Sequence, residues 1–362
     1  MNVESLYESG IEGTLHRSLN IGTACARLTV NLLLILVLSH TNALAAVDGT
    51  TEFDPVIAAK KAFTPVEFRA GNPNDPVFDF TPLDWREMLK KPGASMDAIL
   101  EYADSPYMPV RDMVISNLGH LDREDNGRID DKRVVAAIVA SVTDEETQLV
   151  VRSLEFIGHF DKSFVTGDLI KKIGEYIAQS QIWGVAENAC FAAGDLGDAS
   201  FLPYLQKAMK KPLGGKPLTE EWHRNAAAKV ERAARKAAAR LGDPAASAEI
   251  RKEISSGDLV KQYNAIMDAA YARDKKAVEL IVPFLDKEYG PPNPDRDSVQ
   301  YGAFEILACN ALDMIVDGKD LRRIDESTTR EKARKRAAVW KEWWGKNKDK
   351  WLLPPVGPKA DQ

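Results

Sequence analysis

An all-α solenoid of about six stacked helix pairs is the fold that this sequence predicts, and three observations predict it. Strand signals almost vanish after residue 93, and amphipathic helical stretches of roughly 8–18 residues alternate there with short turns. One pattern then recurs about every 38 residues, a spacing typical of stacked helical repeats. The chain has 362 residues, of which 44% are hydrophobic, so it can bury a continuous core.

The recurring unit is clearest where residues 110–122 align with residues 149–161 without a gap. The same register fits the later segments 185–196, 230–241, 262–272 and 301–312. An apolar helix precedes each of the six, at residues 96–103, 134–142, 169–178, 201–209, 248–254 and 278–285. Near the end of the second helix the equivalent positions are mostly small: Gly119, Gly158, Gly194, Ala239, Ala270 and Asn310. Small residues let neighbouring helices approach closely, and the remaining apolar stripe can be buried only by stacking.

Short motifs accompany this register. The best examples are Val110-Arg111 with Leu118-Gly119, Leu196-Gly197-Asp198 with Leu202-Pro203, and Leu241-Gly242-Asp243-Pro244. Over about residues 94–318 the pattern resembles the HEAT-like repeat family of the phycobilisome-lyase type, although the fifth and sixth units lack both the Arg and the Leu-Gly. The resemblance implies a helical-repeat fold. It implies little about activity, because members of this family are mostly scaffolds with unrelated partners.

The first 45 residues have the layout of a signal peptide. Arg27 precedes an apolar run at residues 28–38, and Ala43-Leu44-Ala45 provides a cleavage site of the A-x-A type. The run is shorter than the roughly 20 apolar residues that a membrane-spanning helix needs. We therefore expect cleavage near Ala45 and export to the periplasm or the extracellular space, with an uncleaved N-terminal membrane anchor as the alternative.

Two further segments flank the repeats. Residues 46–93 are rich in proline and predict an irregular N-terminal arm. Residues 319–350 hold twelve Lys or Arg against six Asp or Glu, and Trp340, Trp343 and Trp344 share one face of a predicted helix. This basic helix is expected to cap the last repeat; alternatively, its tryptophan face binds a membrane surface. Residues 351–362 form a tail.

Composition excludes several classes of protein. A formal net charge of −6 argues against nucleic acid as the main partner. Three cysteines without a CxxC pair exclude zinc ribbons, c-type haem attachment and thioredoxin-like chemistry. Cys190 and Cys309 fall in the third and sixth units, about 30 Å apart if each layer adds 8–10 Å, so no disulfide is expected between them.

The most specific chemical signal is a loop resembling a calcium-binding EF-hand loop. Its oxygen-bearing residues are Asp122, Glu124, Asn126 and Asp130. Position 12, where a bidentate acid is expected, holds Arg133. The loop is therefore either a weakened calcium site or a polar turn, and we expect no calcium effect. No other cofactor is predicted.

The predicted function follows from the absence of catalytic motifs and from the extended surface of the repeats. No catalytic motif occurs, so no catalytic residue is assigned, and His120 and His159, one repeat apart, are too distant to share a metal ion easily. Two long connections, residues 210–223 and 288–298, suit recognition. We expect an exported, non-catalytic interaction scaffold for a protein or an extracellular polymer. The alternative is a lyase-type enzyme, which would need a deep cleft containing His223 or paired carboxylates.

Overall fold

The computed structural model describes residues 53–69, 76–123, 127–215, 217–287, 304–316 and 330–351. The expected signal peptide, the start of the arm and residues 352–362 of the predicted tail lie outside these residues, whereas Trp351 belongs to the C-terminal helix. None of the helices within them is long and apolar enough to cross a membrane.

The N-terminal segment contains more regular structure than an irregular arm. It forms helix α1 (Pro55–Ala62), a two-stranded antiparallel ribbon of β1 (Glu67–Phe68) and β2 (Pro76–Val77), and helix α2 (Trp85–Met88). Its aromatic side chains pack on the first repeat, since the rings of Phe63 and Tyr102 lie 4.9 Å apart. The prolines thus shorten the elements, and aromatic packing holds them on the end of the solenoid.

Six helix pairs follow within the described residues, as the repeat register predicts. They are α3 (Pro92–Leu100) with α4 (Met108–Arg123), α5 (Lys132–Ser141) with α6 (Thr147–Ile157), α7 (Gly167–Gln179) with α8 (Trp183–Leu196), α9 (Leu202–Lys210) with α10 (Glu221–Arg240), α11 (Pro244–Ile254) with α12 (Leu259–Ala272), and α13 (Val278–Ile281) with α14 (Phe304–Val316). A 3₁₀ turn at Val282–Asp286 extends α13. The predicted all-α solenoid is confirmed.

Local signals set the helix boundaries. The carboxylate of Asp243 accepts hydrogen bonds from the first-turn N–H groups of Ala245 and Ala246, both at 2.9 Å, and caps α11. The bond from Ala246 helps to hold the pKa of Asp243 below its usual value. At the other end of a helix, Gly197 takes a left-handed conformation with φ 71° and ends α8.

The small residues of the repeat allow the second helices to touch. A Cβ atom at Gly119 in α4 would lie 2.3 Å from the ring of Phe156 in α6. A Cβ atom at Gly194 in α8 would lie 2.4 Å from the hydroxyl of Tyr271 in α12. These distances are well inside van der Waals contact, so the glycines are required for the observed spacing.

The arginine of the repeat motif joins neighbouring units. Arg111 in α4 donates to the backbone oxygen of Ser105 at 2.8 Å and to the carboxylate of Asp144, before α6, at 3.2 Å. Arg152 in α6 pairs in turn with Asp112 in α4 at 3.2 Å. Polar contacts therefore reinforce the apolar stacking between units one and two.

The C-terminal helix α15 (Arg330–Trp351) covers the last pair, as predicted. Trp340 is 7% exposed, and its indole N–H donates to Asp313 in α14 at 2.9 Å. Arg336 pairs with the same carboxylate at 2.6 Å. Binding a membrane through the tryptophan face would require Trp340 to be exposed, and it packs against the solenoid instead.

Both described cysteines are buried free thiols. Burial raises the pKa of Cys190 far above its usual value and that of Cys309 to about 12. Neither thiol is therefore poised to react near neutral pH.

Candidate interaction surface

The second helices of consecutive pairs run parallel in the middle of the solenoid. Near its start, α8 meets α10 where the Lys229 ammonium lies 4.8 Å from the ring of Trp183. Near its end, Asp195 pairs with Arg240 at 3.4 Å. The N-terminal ends of α8 and α10 therefore lie on the same edge. Arg232 in α10 contacts Asn264 of α12, and Arg240, eight residues later in α10, donates to the backbone oxygen of Tyr271 in α12. Helix α12 therefore runs in the same direction as α10 and also begins on that edge.

Large apolar side chains are exposed along this edge on three consecutive units. Each is between 39% and 50% exposed: Ile182, Trp183, Leu218, Trp222, Leu259 and Val260. We call these six residues the N-terminal edge. Scattered exposed apolar residues are ordinary, but six that stand at the starts of three neighbouring helices, two tryptophans among them, have the composition of a binding site.

Helix α10 projects beyond its neighbours on this edge. Trp183, the first residue of α8, is level with Lys229, eight residues after the start of α10 at Glu221. Since a helix rises about 1.5 Å per residue, α10 extends past α8 by about two turns. Trp222 lies on this projection. Its ring is tilted against that of His223 with 3.7 Å between ring centres, and its N–H donates to Glu220.

The long connection before α10 supports the projection. Leu213 is 2% exposed and adopts a left-handed conformation with φ 54°, which is strained for a leucine. Next to it, Gly214 has φ 62°, and a Cβ there would lie 2.7 Å from the backbone oxygen of Gln179. Leu213 belongs to a small separate core with Ala186, Ala226, Ala227 and Val230. Apolar burial thus fixes the start of the predicted recognition loop against α8 and α10; residues 288–298 lie outside the described residues.

Charged side chains behind the edge join the three helices. Asp268 is 1% exposed and accepts from Arg232 at 2.7 and 2.9 Å. Burial alone would lower the pKa of Arg232, but the Asp268 carboxylate raises it above its usual value. Burial also raises the pKa of Tyr271 well above its usual value. The Tyr271 hydroxyl donates to the backbone oxygen of Phe191 at 3.3 Å. These contacts make α8, α10 and α12 one rigid base for the edge.

Two open clefts lie near these helices and the C-terminal cap. The cleft between α10, α11 and α12 has a volume of about 290 Å³ and is lined by Ala228, Glu231, Arg232, Arg235, Glu253, Lys261 and Asn264. The other, of about 190 Å³, is lined by Leu285, Asp286, Glu305, Arg334 and Lys341. His223, the residue that a lyase-type cleft would be expected to contain, lines neither. It is 9% exposed, and its Nδ1 has no hydrogen-bond partner within the described part of the chain.

One of the two histidines at equivalent repeat positions, His120, is packed among aromatic side chains. His120 lies between aromatic rings, with ring centres 5.9 Å from Trp85 and 5.1 Å from Phe156. In the described part of the chain, no group of three or more His, Cys, Asp or Glu side chains is placed to hold a metal ion.

The structure describes only part of the loop predicted as a weakened calcium site, because Glu124 and Asn126 lie outside the described residues. Asp122 accepts hydrogen bonds from the backbone N–H groups of Asp130 and Asp131 at 2.9 and 3.0 Å. Arg133 pairs with Asp131 at 2.7 Å. In this arrangement the Asp122 carboxylate closes the loop, and the calcium site stays a prediction.

Calcium is expected to leave the melting temperature unchanged, because the Asp122 carboxylate is committed to two backbone donors. Thermal unfolding of the chain should be compared in calcium, in magnesium and in a chelator. A rise in melting temperature that calcium alone produces, and that Asp122→Ala abolishes, would contradict this prediction.

No family model and no curated protein matches the sequence. A chain from the complex of CpcE and CpcF of phycocyanin lyase from Nostoc sp. is similar over 83% of this chain and 98% of its own, at 13% identity and a TM-score of 0.44. Human deoxyhypusine hydroxylase is similar over 69% of this chain and 96% of its own, at 14% identity and a TM-score of 0.26.

The six stacked pairs of the described residues decide the architecture. It is an all-α solenoid of helical repeats. At these identities and TM-scores, neither likeness indicates an activity for this chain.

Sequence reasoning missed the N-terminal edge. Apolar residues such as Trp183 and Val260 stand in the first turns of amphipathic helices, where they read as core residues. The available signal was their position, because Ile182, Trp222 and Leu259 flank the predicted turns and not the middle of the apolar stripes.

Proposed function

We propose that the protein is an exported, non-catalytic scaffold that binds a protein partner along the N-terminal edge. Export rests on the signal-peptide pattern of residues 1–45. The observation that carries the binding role is the row of exposed apolar side chains on the parallel ends of α8, α10 and α12.

Three features support this role over that of a solvated surface. Trp183 and Trp222 are the residue type most enriched at binding hot spots. Because Leu213 and the α8–α10–α12 contacts hold the edge rigid, little conformational entropy is lost on binding. Finally, the row spans three units, and extended surfaces of this kind are what helical-repeat proteins use for recognition.

The test is affinity capture with the chain starting at Ala46, against proteins of the native envelope and secreted fractions. Three forms are compared: the unchanged chain, the double variant Trp183→Ala with Trp222→Ala, and the matched control Val56→Ala with Ile57→Ala. The control removes two exposed apolar side chains of α1, which are 56% and 53% exposed and lie off the edge.

A protein captured by the unchanged chain and the α1 control, but lost with the tryptophan variant, is the expected result. Circular dichroism should show all three forms equally helical. Capture of the same proteins by all three forms, or recovery of a tightly bound small molecule or a polymer without a protein partner, would overturn the proposal.

A further inference from the structure

Two distant segments of the chain meet at the end of the solenoid and form a basic surface. The indole N–H of Trp351, the last residue of α15, donates to the backbone oxygen of Lys275 at 3.0 Å. The Lys275 ammonium lies 5.5 Å from the centre of the Trp351 ring. Trp343 packs on the same ring at 5.4 Å. The tryptophans therefore position the last turn of α15 beside the 3₁₀ turn Lys275–Ala277.

The cations at this junction are exposed and have no acidic partner among the described residues: Arg273, Lys275, Lys276, Lys348 and Lys350. We call these five residues the C-terminal basic patch. The acid between Arg273 and Lys275 is already engaged, since the Asp274 carboxylate pairs with Arg251 at 2.5 Å and accepts from the Lys276 N–H at 3.0 Å. Asp349 is the remaining acid inside the patch.

Helix stability explains only some of these charges. Lys348 and Lys350 lie in the last turn of α15, where the helix dipole favours cations. Lys275 and Lys276 lie in a single 3₁₀ turn, which is too short to supply a comparable dipole. The charge of these two lysines therefore has no such compensation, and an external anion would stabilise it.

The chemistry of the patch selects the class of anion. Its cations are mainly lysines on flexible stems from separate elements, which suit several carboxylates spaced along a chain. Trp351 is half-buried, with its N–H satisfied and its ring covered, so it offers little apolar surface for insertion into a lipid layer. Phosphate polymers such as nucleic acids are recognised best by bidentate arginines, and the patch holds one arginine, Arg273, among its five cations.

We propose that the C-terminal basic patch binds an Asp/Glu-rich segment of a protein partner. This inference rests on the scaffold role proposed above, and it adds the chemistry of a second contact. The N-terminal edge supplies apolar contacts, while the patch supplies charge complementarity, which mainly governs the rate and orientation of docking.

The experiment measures binding of fluorescein-labelled polyglutamate to the chain starting at Ala46 by fluorescence anisotropy. Lys275→Glu with Lys276→Glu is compared with Lys60→Glu with Lys61→Glu, an exposed adjacent pair in the last turn of α1. Both variants change the net charge equally. The Lys275 and Lys276 backbone contacts do not depend on the side chains, so folding should survive, and circular dichroism checks this.

The expected result is polyglutamate binding that weakens as salt rises and falls about tenfold in the Lys275/Lys276 variant but not in the α1 control. Equal losses in the two variants, or no binding by the unchanged chain, would overturn the proposal. So would tighter binding, through the same lysines, of phosphatidylserine vesicles or heparin than of polyglutamate, because the partner would then be a membrane or a polymer.

The two proposals fail independently. The variant Trp183→Ala with Trp222→Ala should keep full polyglutamate binding even where it loses the captured protein. Loss of polyglutamate binding in that variant would show that the patch is not a separate site. Capture of the same protein by the unchanged chain and by the tryptophan variant would contradict only the proposal for the N-terminal edge.

Discussion

Replacing Gly194 with alanine is expected to lower the free energy of unfolding by about 3 kcal/mol, near the upper end of the usual cost of overpacking. The new methyl group would lie 2.4 Å from the Tyr271 hydroxyl and 3.1 Å from the Cβ of Ala237. Neither neighbour can easily move. The Tyr271 hydroxyl is hydrogen-bonded to the backbone oxygen of Phe191, and the Arg240 guanidinium lies 4.7 Å from the centre of the tyrosine ring. The Cβ of Ala237 is fixed to the backbone of α10 and can move only with that helix. Guanidinium unfolding followed by circular dichroism measures the change.

The matched control is Gly345→Ala. Gly345 lies inside α15, and a Cβ there would meet nothing within 4 Å. Because alanine is a better helix former than glycine, this substitution should raise stability by about 0.5–1 kcal/mol. The opposite signs separate close packing from helix propensity, and similar effects of the two changes would contradict the interpretation.

A second substitution tests whether the Tyr271 hydroxyl is the obstacle. Tyr271→Phe alone should cost about 1–2 kcal/mol, because it removes the hydrogen bonds of the hydroxyl to the Phe191 carbonyl and to the Asp195 carboxylate. Combined with Gly194→Ala, it should recover part of the loss, giving a favourable coupling in a double-mutant cycle. Additive costs would show that the contact with Ala237 dominates.

The repeat register of the fold was predictable, and these glycines show why. Helical periodicity and a small residue at a fixed place are local properties, so Gly119 and Gly194 are visible in the sequence. Their contacts are not local. Gly194 meets Tyr271 two units later, and that pairing depends on how the stack curves, which a pattern within one unit does not encode.

The N-terminal edge was hidden for a related reason. Exposure of Trp183 and Trp222 depends on how far α10 projects past α8, a difference in length between two units. The conformation at the start of the loop 210–223 could not be predicted either. Left-handed backbone positions usually hold glycine, but here Leu213 occupies one. At Asp122 the sequence placed the carboxylate in the correct loop, but it does not distinguish a metal ligand from an acceptor of backbone N–H groups.

Capping by α15 was predicted from the spacing of its tryptophans, and Trp340→Ala measures its energetic importance. The substitution should lower the free energy of unfolding by about 3–5 kcal/mol, the usual cost of removing a large buried aromatic side chain. It also deprives the Asp313 carboxylate of the indole donor at 2.9 Å. The last apolar stripe then loses its cover, so the variant should self-associate in light scattering after size exclusion.

Val339→Ala is the matched control for this prediction. Val339 precedes Trp340 in the same helix but is 65% exposed, so its loss should change stability by about 0.5 kcal/mol or less. If Trp340→Ala were as mild as this control and stayed monomeric, α15 would not be a structural cap. Its packed tryptophan face would then need another explanation, because a helix that contributes so little to stability could detach and expose Trp340. Exposure of that face would revive binding to a membrane surface, which the contact between Trp340 and Asp313 now opposes.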